Sequence, residues 1–291
     1  MPNPDQLLSI KNILDKSSEY LEGKGVESPL LNAELLLSHT LGKRRIDLYL
    51  EYDRVISTSE TIQYKSLLKE RGRRKPVQYI LGETEFMGLT LRVDQTVLIP
   101  RPETEQMVEA ALEILEDKHK IELNILDVGT GSGNIAIALA SCLESASITA
   151  LDASEEAIEL AVANAERNGV GGKIKFLVHD FISTGFPDGA YDMIISNPPY
   201  VSLDSFKSLP PEVREWEPEA ALTDYSDGLD FIKKIISLSS DSLKTGGTLL
   251  MEIGGDHQKE QVTELMKKAG YSEMNVGEDY NSHARFVSAM N

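Results

Sequence analysis

The sequence predicts an α/β protein in which a small N-terminal helical domain precedes a mostly parallel sheet. From Glu122 onward, short apolar runs typical of buried strands alternate with segments of helical period. A glycine-rich turn follows the first of these runs and leads into a helical segment. The chain before residue 76 shows helical periodicity and helix caps instead. Together these observations predict a Rossmann-like architecture, in which ligands bind beyond the carboxyl ends of the strands.

Residues 1–75 are predicted to form the helical domain. Ser28 and Pro29 have the N-cap and first-turn positions of a helix that Gly42 would end. The stretch Ser57–Glu60 has the spacing of a capping box before another helix. Apolar residues near a helical period predict one more helix at the start of the chain: Leu7, Leu8, Ile10, Ile13, Leu14 and Leu21. No catalytic cluster is visible here, which favours partner recognition or a structural role.

The catalytic domain is predicted over residues 99–291, after a linker with a β-hairpin at 76–98. In the linker, the glycine-centred, alternating stretch EFMGLTLRVD is typical of a hairpin. The predicted strands are LNILDV, SITALD, KIKFLV, YDMIIS and TLLMEIG. The predicted helices between them are GNIAIALASCLE, SEEAIELAVANAERNG and DGLDFIKKIISLSSDSLKTGG.

Composition narrows the class of protein. Hydrophobic residues make up 41% and charged residues 26% of the 291 residues, which is ordinary for a soluble globular chain. No apolar run approaches the roughly 20 residues that a membrane span needs, and the N-terminus lacks the pattern of a secretory signal. The single cysteine, Cys142, excludes an internal disulfide framework and is expected to be a buried structural thiol. These features predict a cytoplasmic protein without membrane association.

The charge distribution disfavours broad nucleic-acid binding. The net charge of −18 repels a phosphate backbone, so no direct DNA binding is expected. One local exception is the basic stretch Lys69–Lys75, with sequence KERGRRK. The simpler interpretation is a solvated helix end, where cations favour the C-terminal dipole. The functional interpretation is a docking point for an acidic or RNA-bound partner.

The glycine-rich turn LDVGTGSGN predicts a cofactor site. Glycines in this turn allow tight backbone geometry and close approach to a ligand: Gly129, Thr130, Gly131, Ser132 and Gly133 form the loop. Asp152 ends the next strand, where a carboxylate can accept hydrogens from both hydroxyls of a ribose. Asp180 ends the third strand, where it could accept from an adenine amino group, and Phe181 could cover the ring.

The ligand of this turn is predicted to carry a positive charge. The loop is G-x-G-x-G, whereas dinucleotide binders have G-x-G-x-x-G. Asp127, just before the loop, would repel a pyrophosphate but suits an amine or a sulfonium. S-adenosylmethionine is therefore the predicted cofactor, with S-adenosylhomocysteine as its product.

The fourth strand ends on NPPY, Asn197 to Tyr200, which predicts the acceptor site. Asn197 and the carbonyl of Pro198 offer acceptors, and Pro198 and Pro199 have no competing N–H. That combination suits a planar NH2 group with two hydrogens to place, on whose plane Tyr200 could stack. Asn197 should therefore lie beside the transferable methyl group. Proximity, alignment and electrostatic fit would supply the rate enhancement.

The motifs DVGTGSG and NPPY resemble those of class I methyltransferases that act on planar amino groups. Further stretches are similar to the peptide chain release factor glutamine methyltransferases of the PrmC/HemK type: PVQYILGETEFMGL, LIPRPETE, EPEAAL with DGLDF, and EIGGDHQ. The resemblance covers nearly the whole chain, including the helical domain. PRPETE adds specificity because DNA adenine methylases share the NPPY-type cap without it.

The resemblance implies a fold, an activity and site residues. It implies methylation of the side-chain amide of the glutamine in the Gly-Gly-Gln loop of translation release factors. It implies that the loop Gly129–Gly133, Asp152, Phe181 and Asn197 bind the cofactor, with Asp180 a further candidate. It also implies that Asn197–Tyr200 bind the substrate glutamine and that PRPETE packs near the cofactor.

Two other substrate classes stay open from the sequence. One is a glutamine of a large-subunit ribosomal protein, and the other is an amino group on a nucleic-acid base, which the same acceptors would suit. A non-catalytic cofactor-binding protein would not need an intact NPPY. The histidines show no metal-ligand spacing, so no metal site is predicted.

Overall fold

The computed structural model describes residues 9–116, 122–279 and 281–291. Leu7 and Leu8 of the first predicted helix lie outside the described residues. The chain forms two units. The described residues up to Gly82, with Pro210–Trp216, make the helical unit, and Glu83–Leu209 with Glu217–Asn291 make the sheet unit. The domain limits 1–75, 76–98 and 99–291 stay a prediction.

The predicted helices and strands occur in the predicted order along the chain, together with further helices and strands that the sequence patterns did not predict. The helices are α1 Ile10–Glu22, α2 Pro29–Leu41, α3 Arg45–Leu50, α4 Thr58–Arg71, α5 Val77–Leu81, α6 Pro102–Leu115, α7 Asn134–Cys142, α8 Glu155–Arg167, α9 Phe181–Thr184, α10 Leu203–Phe206, α11 Pro211–Arg214, α12 Asp230–Ser242 and α13 Asp256–Lys268. The strands are β1 Glu83–Phe86, β2 Leu89–Arg92, β3 Leu123–Val128, β4 Ala146–Asp152, β5 Ile174–Val178, β6 Tyr191–Ser196, β7 Leu243–Glu252, β8 Ser272–Glu278 and β9 Ala284–Met290.

The helical unit confirms the predicted capping box. Ser57 Oγ accepts from the Glu60 N–H at 3.2 Å, and Glu60 accepts from the Ser57 N–H at 2.7 Å. Gly42 ends α2 in the left-handed region at φ 62°. Ser28 does stand at the N-cap of α2, but its backbone is left-handed at φ 47° and its hydroxyl caps no N–H. The side-chain NH2 of Asn32 bonds to the carbonyl of Ser28 instead.

The interpretation of Lys69–Lys75 as a solvated helix end is wrong for part of that stretch. Arg71 is only 5% exposed and donates to Asn32 at 2.7 Å and to Glu212 at 3.0 Å. Arg74 makes two hydrogen bonds to Glu212. Glu212 lies far along the chain, in the segment that returns to this unit, so local sequence could not reveal the pairing. Lys69 and Arg73 are exposed, as predicted.

The sheet unit begins with the predicted hairpin. Strands β1 and β2 pair antiparallel, with Phe86 opposite Leu89. The connecting residues Met87 and Gly88 both have positive φ, 50° and 73°, as a type I′ turn requires. Asn164 of α8 bonds to both the N–H and the carbonyl of Arg92. These bonds fix the hairpin on the sheet unit.

The main sheet has seven strands in the order β5-β4-β3-β6-β7-β9-β8. The five strands predicted from apolar runs are parallel to one another, and β9 pairs antiparallel with β7 and β8. Successive residues of β3 face opposite layers, since Ile125 packs into one hydrophobic core and Leu126 into the other. Helices therefore cover both faces, and the predicted fold class is confirmed. Strands β8 and β9 were not predicted.

The exposure of Cys142 and the character of the helices bear on two further predictions. Cys142, the last residue of α7, is exposed, so the prediction of a buried thiol is wrong. The apolar pattern of its helix continues only to Ala140, and Cys142 lies beyond that buried face. Among the described residues, none of the helices has both the length and the apolar character needed to span a membrane.

Candidate active site

A cavity of about 690 Å³ opens beyond the carboxyl ends of the parallel strands in the sheet unit. This volume lies in the range of small-molecule sites. Its lining includes most of the predicted site residues: Gly129, Thr130, Gly131, Ser132, Asp152, Asp180, Phe181, Asn197, Pro198 and Pro199. The sheet topology brings them together because the end of β3 lies between the ends of β4 and β6.

The glycine-rich loop forms one wall of the cavity. Gly129 and Gly131 have positive φ, 76° and 54°, and a Cβ on either would extend into open space where a ligand could approach. The N–H groups of Gly129 and Thr130 both bond to the carbonyl of Leu151, which ties the loop to β4. Gly133 does not line the cavity, and a Cβ there would meet Ile137 at 2.9 Å and Ala161 at 3.1 Å. Its role in the structure is close helix packing.

Asp127 is fully buried beneath this loop and does not line the cavity. Its Oδ2 accepts from the Thr130 hydroxyl at 2.6 Å, whereas its Oδ1 has no partner. Burial raises the pKa of Asp127 to about 7. The hydroxyl oxygen of Ser132 is likewise buried without a partner. Such orphaned polar atoms beside a cavity are typical of a site that a polar ligand completes.

Asp152 and Asp180 stand at the ends of the next two strands. One oxygen of Asp152 accepts from the Gly131 N–H at 2.9 Å and the other from the Ser154 N–H at 3.0 Å. Asp180 is exposed and caps α9, with Ser183 Oγ donating to it at 2.6 Å. That bond, ahead of the backbone bond from Ile182, lowers the pKa of Asp180. Both residues line the cavity.

Phe181 follows β5 and the NPPY segment follows β6, and Phe181, Asn197, Pro198 and Pro199 all line the cavity. The ring of Phe181 is only 8% exposed and packs against Phe231, with ring centres 6.2 Å apart. Asn197 is half-buried at the cavity, whereas Tyr200 is not among the residues that line it. The predicted stacking role of Tyr200 therefore stays a prediction. Below them, Ser196 donates to the carbonyl of Val128 at 2.7 Å, which joins β6 to β3.

A hydrogen-bonded chain runs behind Asn197. Its side-chain NH2 donates to Thr104 Oγ1 at 3.2 Å, and the Thr104 hydroxyl donates to Glu252 at 2.6 Å. The Tyr200 hydroxyl donates to the other oxygen of Glu252 at 3.0 Å. Burial raises the pKa of Glu252 to about 7, and burial followed by Glu252 raises the pKa of Tyr200 well above 10. Thr104 belongs to the PRPETE stretch and Glu252 to the EIGGDHQ stretch.

The remaining motifs hold the NPPY segment in place. Gln258 donates to the carbonyls of Tyr200 at 2.9 Å and Gly228 at 3.3 Å, and accepts from the Gly254 N–H. A Cβ on Gly228 would lie 2.2 Å from the Tyr200 carbonyl oxygen, so only glycine fits there. The motifs DGLDF and EIGGDHQ are thus joined through the backbone of NPPY.

A buried ion pair joins two other motifs. Arg101 of PRPETE donates to Glu217 of EPEAAL at 2.5 Å, and Glu217 is 6% exposed. Burial raises the pKa of Glu217, although Arg101 opposes the rise. Residues on both sides of this pair line the cavity, including Pro100 and Pro218. The pair therefore joins two stretches of the chain that line the cavity.

The sequence analysis did not identify several residues that line the cavity or lie beside it. Thr104, Glu217 and Glu252 were not singled out, although each lies in a stretch that the resemblance quoted. Thr96 and Val97 line the cavity without any motif. The signal for the first three was a polar residue within an apolar or proline-rich stretch, which predicts a buried polar group in need of partners.

Three aspartates outside the cavity come close together: Asp224, Asp227 and Asp230. Asp224 accepts from the N–H groups of Ser226, Gly228 and Asp230, so its carboxylate shapes the DGLDF turn. Lys233 bonds to the other two carboxylates. The predicted absence of a metal site stays a prediction.

Comparisons with known proteins agree with this geometry. Residues 12–82 match the model of the PrmC N-terminal domain, and residues 105–208 match that of the methyltransferase small domain. Relatives named release factor glutamine methyltransferase include one from Fusobacterium nucleatum, 39% identical over 96% of this chain and 78% of the relative. One from Geobacter sulfurreducens is 39% identical over 99% and 98%. One from Rhodopirellula baltica is 35% identical over 96% and 95%.

Solved structures resemble much of this chain in fold. The catalytic domain of hMettl16, solved with an RNA hairpin, superposes with a TM-score of 0.56 at 17% identity, over 79% of this chain and 81% of that one. A methyltransferase from Pyrococcus furiosus gives a TM-score of 0.50 at 19% identity, over 70% and 89%. At these identities the similarity concerns the fold alone.

Proposed function

This chain belongs to the release factor glutamine methyltransferase family, and from that premise we propose that it methylates the glutamine side chain of a Gly-Gly-Gln loop in peptide chain release factors. The methyl donor in this proposal is S-adenosylmethionine. One observation carries the proposal: the acceptors of Asn197 and Pro198 line the same cavity as the glycine-rich loop. A planar amide held there would lie next to the cofactor.

The residues present fit S-adenosylmethionine. The open space over Gly129 and Gly131 accommodates close backbone approach, and Asp152 offers acceptors for ribose hydroxyls. The unpartnered hydroxyl of Ser132 lines the cavity and would complete its bonding with a polar ligand, directly or through water. The carboxyl group of Asp127 beneath the loop suits a ligand that carries a positive charge. When bound, the cofactor supplies an electrophilic methyl group on its sulfonium.

The protein's own contribution is to hold and orient the acceptor amide. An amide nitrogen is a poor nucleophile because its lone pair is delocalised into the carbonyl. Acceptors on both N–H groups, from Asn197 Oδ1 and the Pro198 carbonyl, raise the electron density on nitrogen and fix its direction. An amide held in this way would present its nitrogen to the electrophilic methyl group that a bound cofactor would supply, and the proton displaced from nitrogen would leave to solvent.

Replacing Asn197 by alanine tests this assignment. We expect Asn197→Ala to lower kcat/KM by about 100-fold or more, the loss expected for a positioned polar group in the transition state. Transfer of labelled methyl groups from S-adenosylmethionine to a release factor measures it. Asn275→Ala, an exposed residue of β8, is the control, and circular dichroism checks the fold.

Two results would contradict the proposal. Near wild-type turnover by Asn197→Ala would remove Asn197 from the site. Label that persists on the release factor after its Gly-Gly-Gln glutamine is replaced would exclude that glutamine as the acceptor. Parallel incubations with ribosomal proteins and with nucleic acid test the two other substrate classes.

We also propose that the helical unit recognises the body of the release factor. Lys69 and Arg73 are exposed and make no ion pair among the residues that the structure describes, in a chain of net charge −18. They line a hollow of about 350 Å³ that also includes Lys75 and Trp216. Such a local basic surface suits an acidic face on a protein partner.

Charge reversal at this surface separates docking from chemistry. Arg73→Glu should raise KM for the whole release factor about tenfold, as expected for one lost charge contact of about 1.4 kcal/mol. KM for a short peptide containing Gly-Gly-Gln should stay unchanged. Lys16→Glu, an exposed cation on α1, is the matched control. Equal effects on both substrates, or none on the whole factor, would refute docking at this surface.

A further inference from the structure

The hydrogen-bonded chain from Asn197 to Glu252 has a direction that chemistry fixes. An ionised carboxylate has acceptors only, so the hydroxyls of Thr104 and Tyr200 must both donate to Glu252. The Thr104 hydroxyl has one hydrogen and uses it on Glu252. It can therefore only accept from Asn197, and only the NH2 end of an amide can donate.

This direction decides which end of Asn197 is left for the substrate. An asparagine amide has nearly equal ends in shape but opposite ends in hydrogen bonding. With its NH2 end bonded to Thr104, Asn197 has its carbonyl oxygen left over. A substrate NH2 group needs an acceptor, so the reversed amide would oppose donor to donor.

The hydrogen bonds that link Asn197, Thr104 and Glu252 are shielded from water, so a reversed donor and acceptor would be costly. Thr104 is fully buried and Glu252 is 2% exposed, and Glu252 has no ion pair among the described residues. Buried donors and acceptors without partners cost much more than exposed ones because water cannot replace the lost bond. A single wrong hydrogen-bond direction at Thr104 would leave such a group.

We propose that Thr104 and Glu252 are positioning residues that set the orientation of the Asn197 amide, and so select an NH2 group as the acceptor. The proposal rests on the proposed function, because it concerns the same substrate. Neither residue touches the reacting atoms. Glu252 acts through Thr104, and Thr104 acts through Asn197.

Protonation of Glu252 would release this constraint. A protonated Glu252 can donate to Thr104, whose hydrogen is then free to turn towards Asn197 and reverse its amide. Burial, and then Glu103 of α6, raise the pKa of Glu252 to about 7, whereas Thr104, Tyr200 and Arg285 of β9 lower it. Arg285 is itself paired with Asp279, and Arg101 acts on Tyr200. We therefore expect kcat/KM to fall as pH decreases through about 7.

Three variants of the full-length protein test the proposal, with a Gly-Gly-Gln peptide as substrate. Thr104→Val keeps the shape and removes the hydroxyl, and should lower kcat/KM by about 10- to 100-fold, the cost of an unpartnered buried group. Thr104→Ser restores the hydroxyl and should recover most of that loss. Thr248→Val, a buried threonine of β7 away from the cavity, controls for the loss of a buried hydroxyl as such.

The pH profile gives a readout that a merely structural role would not change. In Glu252→Gln, an NH2 group that only donates replaces one of the two oxygens that accept from Thr104 and Tyr200, so the direction of the Thr104 hydroxyl, and with it the orientation of Asn197, is unfixed at every pH. We expect a lower kcat/KM at pH 8 and no fall between pH 8 and pH 6. Calorimetric titration with S-adenosylmethionine should show binding in all variants.

The outcomes separate this proposal from the proposed function. If the wild-type protein labels no Gly-Gly-Gln peptide and no release factor, the proposed function itself fails. If the wild type is active and Thr104→Val equals it, the positioning role is refuted. The positioning role is also refuted if Thr104→Ser does not recover the kcat/KM that Thr104→Val loses. It is likewise refuted if kcat/KM of Glu252→Gln falls between pH 8 and pH 6 as it does in the wild type.

Discussion

The helical unit pairs its buried charges with opposite charges, whereas in the sheet unit Glu217 is paired with Arg101 but Asp127 and Glu252 have no cation partner. In the helical unit, Glu34 is 1% exposed and accepts two hydrogen bonds from Arg45, and Arg71 is 5% exposed and bonds to Glu212. Near the carboxyl ends of β3 and β7, Asp127 and Glu252 are as deeply buried. They bond to hydroxyl groups and have no ion pair among the described residues.

This difference distinguishes buried charges that stabilise packing from buried charges that are typical of a functional site. A buried ion pair loses hydration but recovers Coulombic energy from its partner, so it specifies how segments pack. A buried carboxylate without a cation has a raised pKa and destabilises the fold at neutral pH. Such groups are concentrated at functional sites, and here both lie next to the cavity.

The largest effect on stability is expected at Asp127, where a substitution tests whether a buried carboxylate without a cation destabilises the fold. The pKa of Asp127 is about 7 in the folded protein and about 3.8 in the unfolded chain. Below pH 3.8 the group is protonated in both states. As pH rises from about 4 to 7, the unfolded chain loses this proton first, so the folded state becomes less stable. Asp127→Asn cannot ionise, so its unfolding free energy relative to wild type should rise by up to about 4 kcal/mol over that range.

Urea unfolding at pH 5 and pH 8 should show about 3 kcal/mol of that change, because the unfolded chain has already lost most of this proton at pH 5. Asp204→Asn, at a highly exposed carboxylate, provides the control and should show little difference between the two pH values. A difference between Asp127→Asn and wild type that is the same at both pH values would show that Asp127 is ionised normally. Asp127→Asn should also bind S-adenosylmethionine more weakly, since a positively charged ligand loses its nearby anion.

A smaller effect on stability is expected in the helical unit, when Arg71 loses its buried partner Glu212. Glu212→Ala leaves Arg71 buried without its anion, and should destabilise this unit by about 3 kcal/mol near pH 7. Burial works to raise the pKa of Glu212, but Arg74 and Arg71 lower it below its usual range. The stabilisation is therefore present above the unfolded pKa and should disappear as pH falls through the folded one. Hydrogen exchange of α2 and α4 measures the change.

The control for this variant lies in the same segment. Glu215 pairs with Arg214 in an exposed position, so Glu215→Ala should change stability by less than about 1 kcal/mol. If Glu212→Ala and Glu215→Ala have equal effects, the buried pair contributes no more than a surface pair. The contrast between the two units would then fail on the helical side.

Much of the fold and part of the site could be predicted from the sequence because they depend on local pattern. The five parallel strands are continuous apolar runs, and the hairpin turn at Gly88 needs positive φ. The loop Gly129–Ser132 and Asn197–Pro199 were placed at the cavity by the rule that ligands bind at strand ends. Strand β8 is polar and largely exposed, so no apolar run indicated it. Strand β9 is mostly buried, but Arg285 and Ser288 interrupt its apolar residues.

The sequence by itself determined the strand order along the chain, the loop chemistry and the acceptor motif. Those features follow from residue types and spacing over a few positions. Only the tertiary structure decided what each buried polar group bonds to. Thr104 meets Glu252 across 148 positions of sequence, and Arg71 meets Glu212 across 141. Hydrogen bonds and ion pairs depend on distances of a few ångströms in space, which sequence periodicity does not encode. The hydrogen-bond partners of Asn197 are therefore visible only in the tertiary structure.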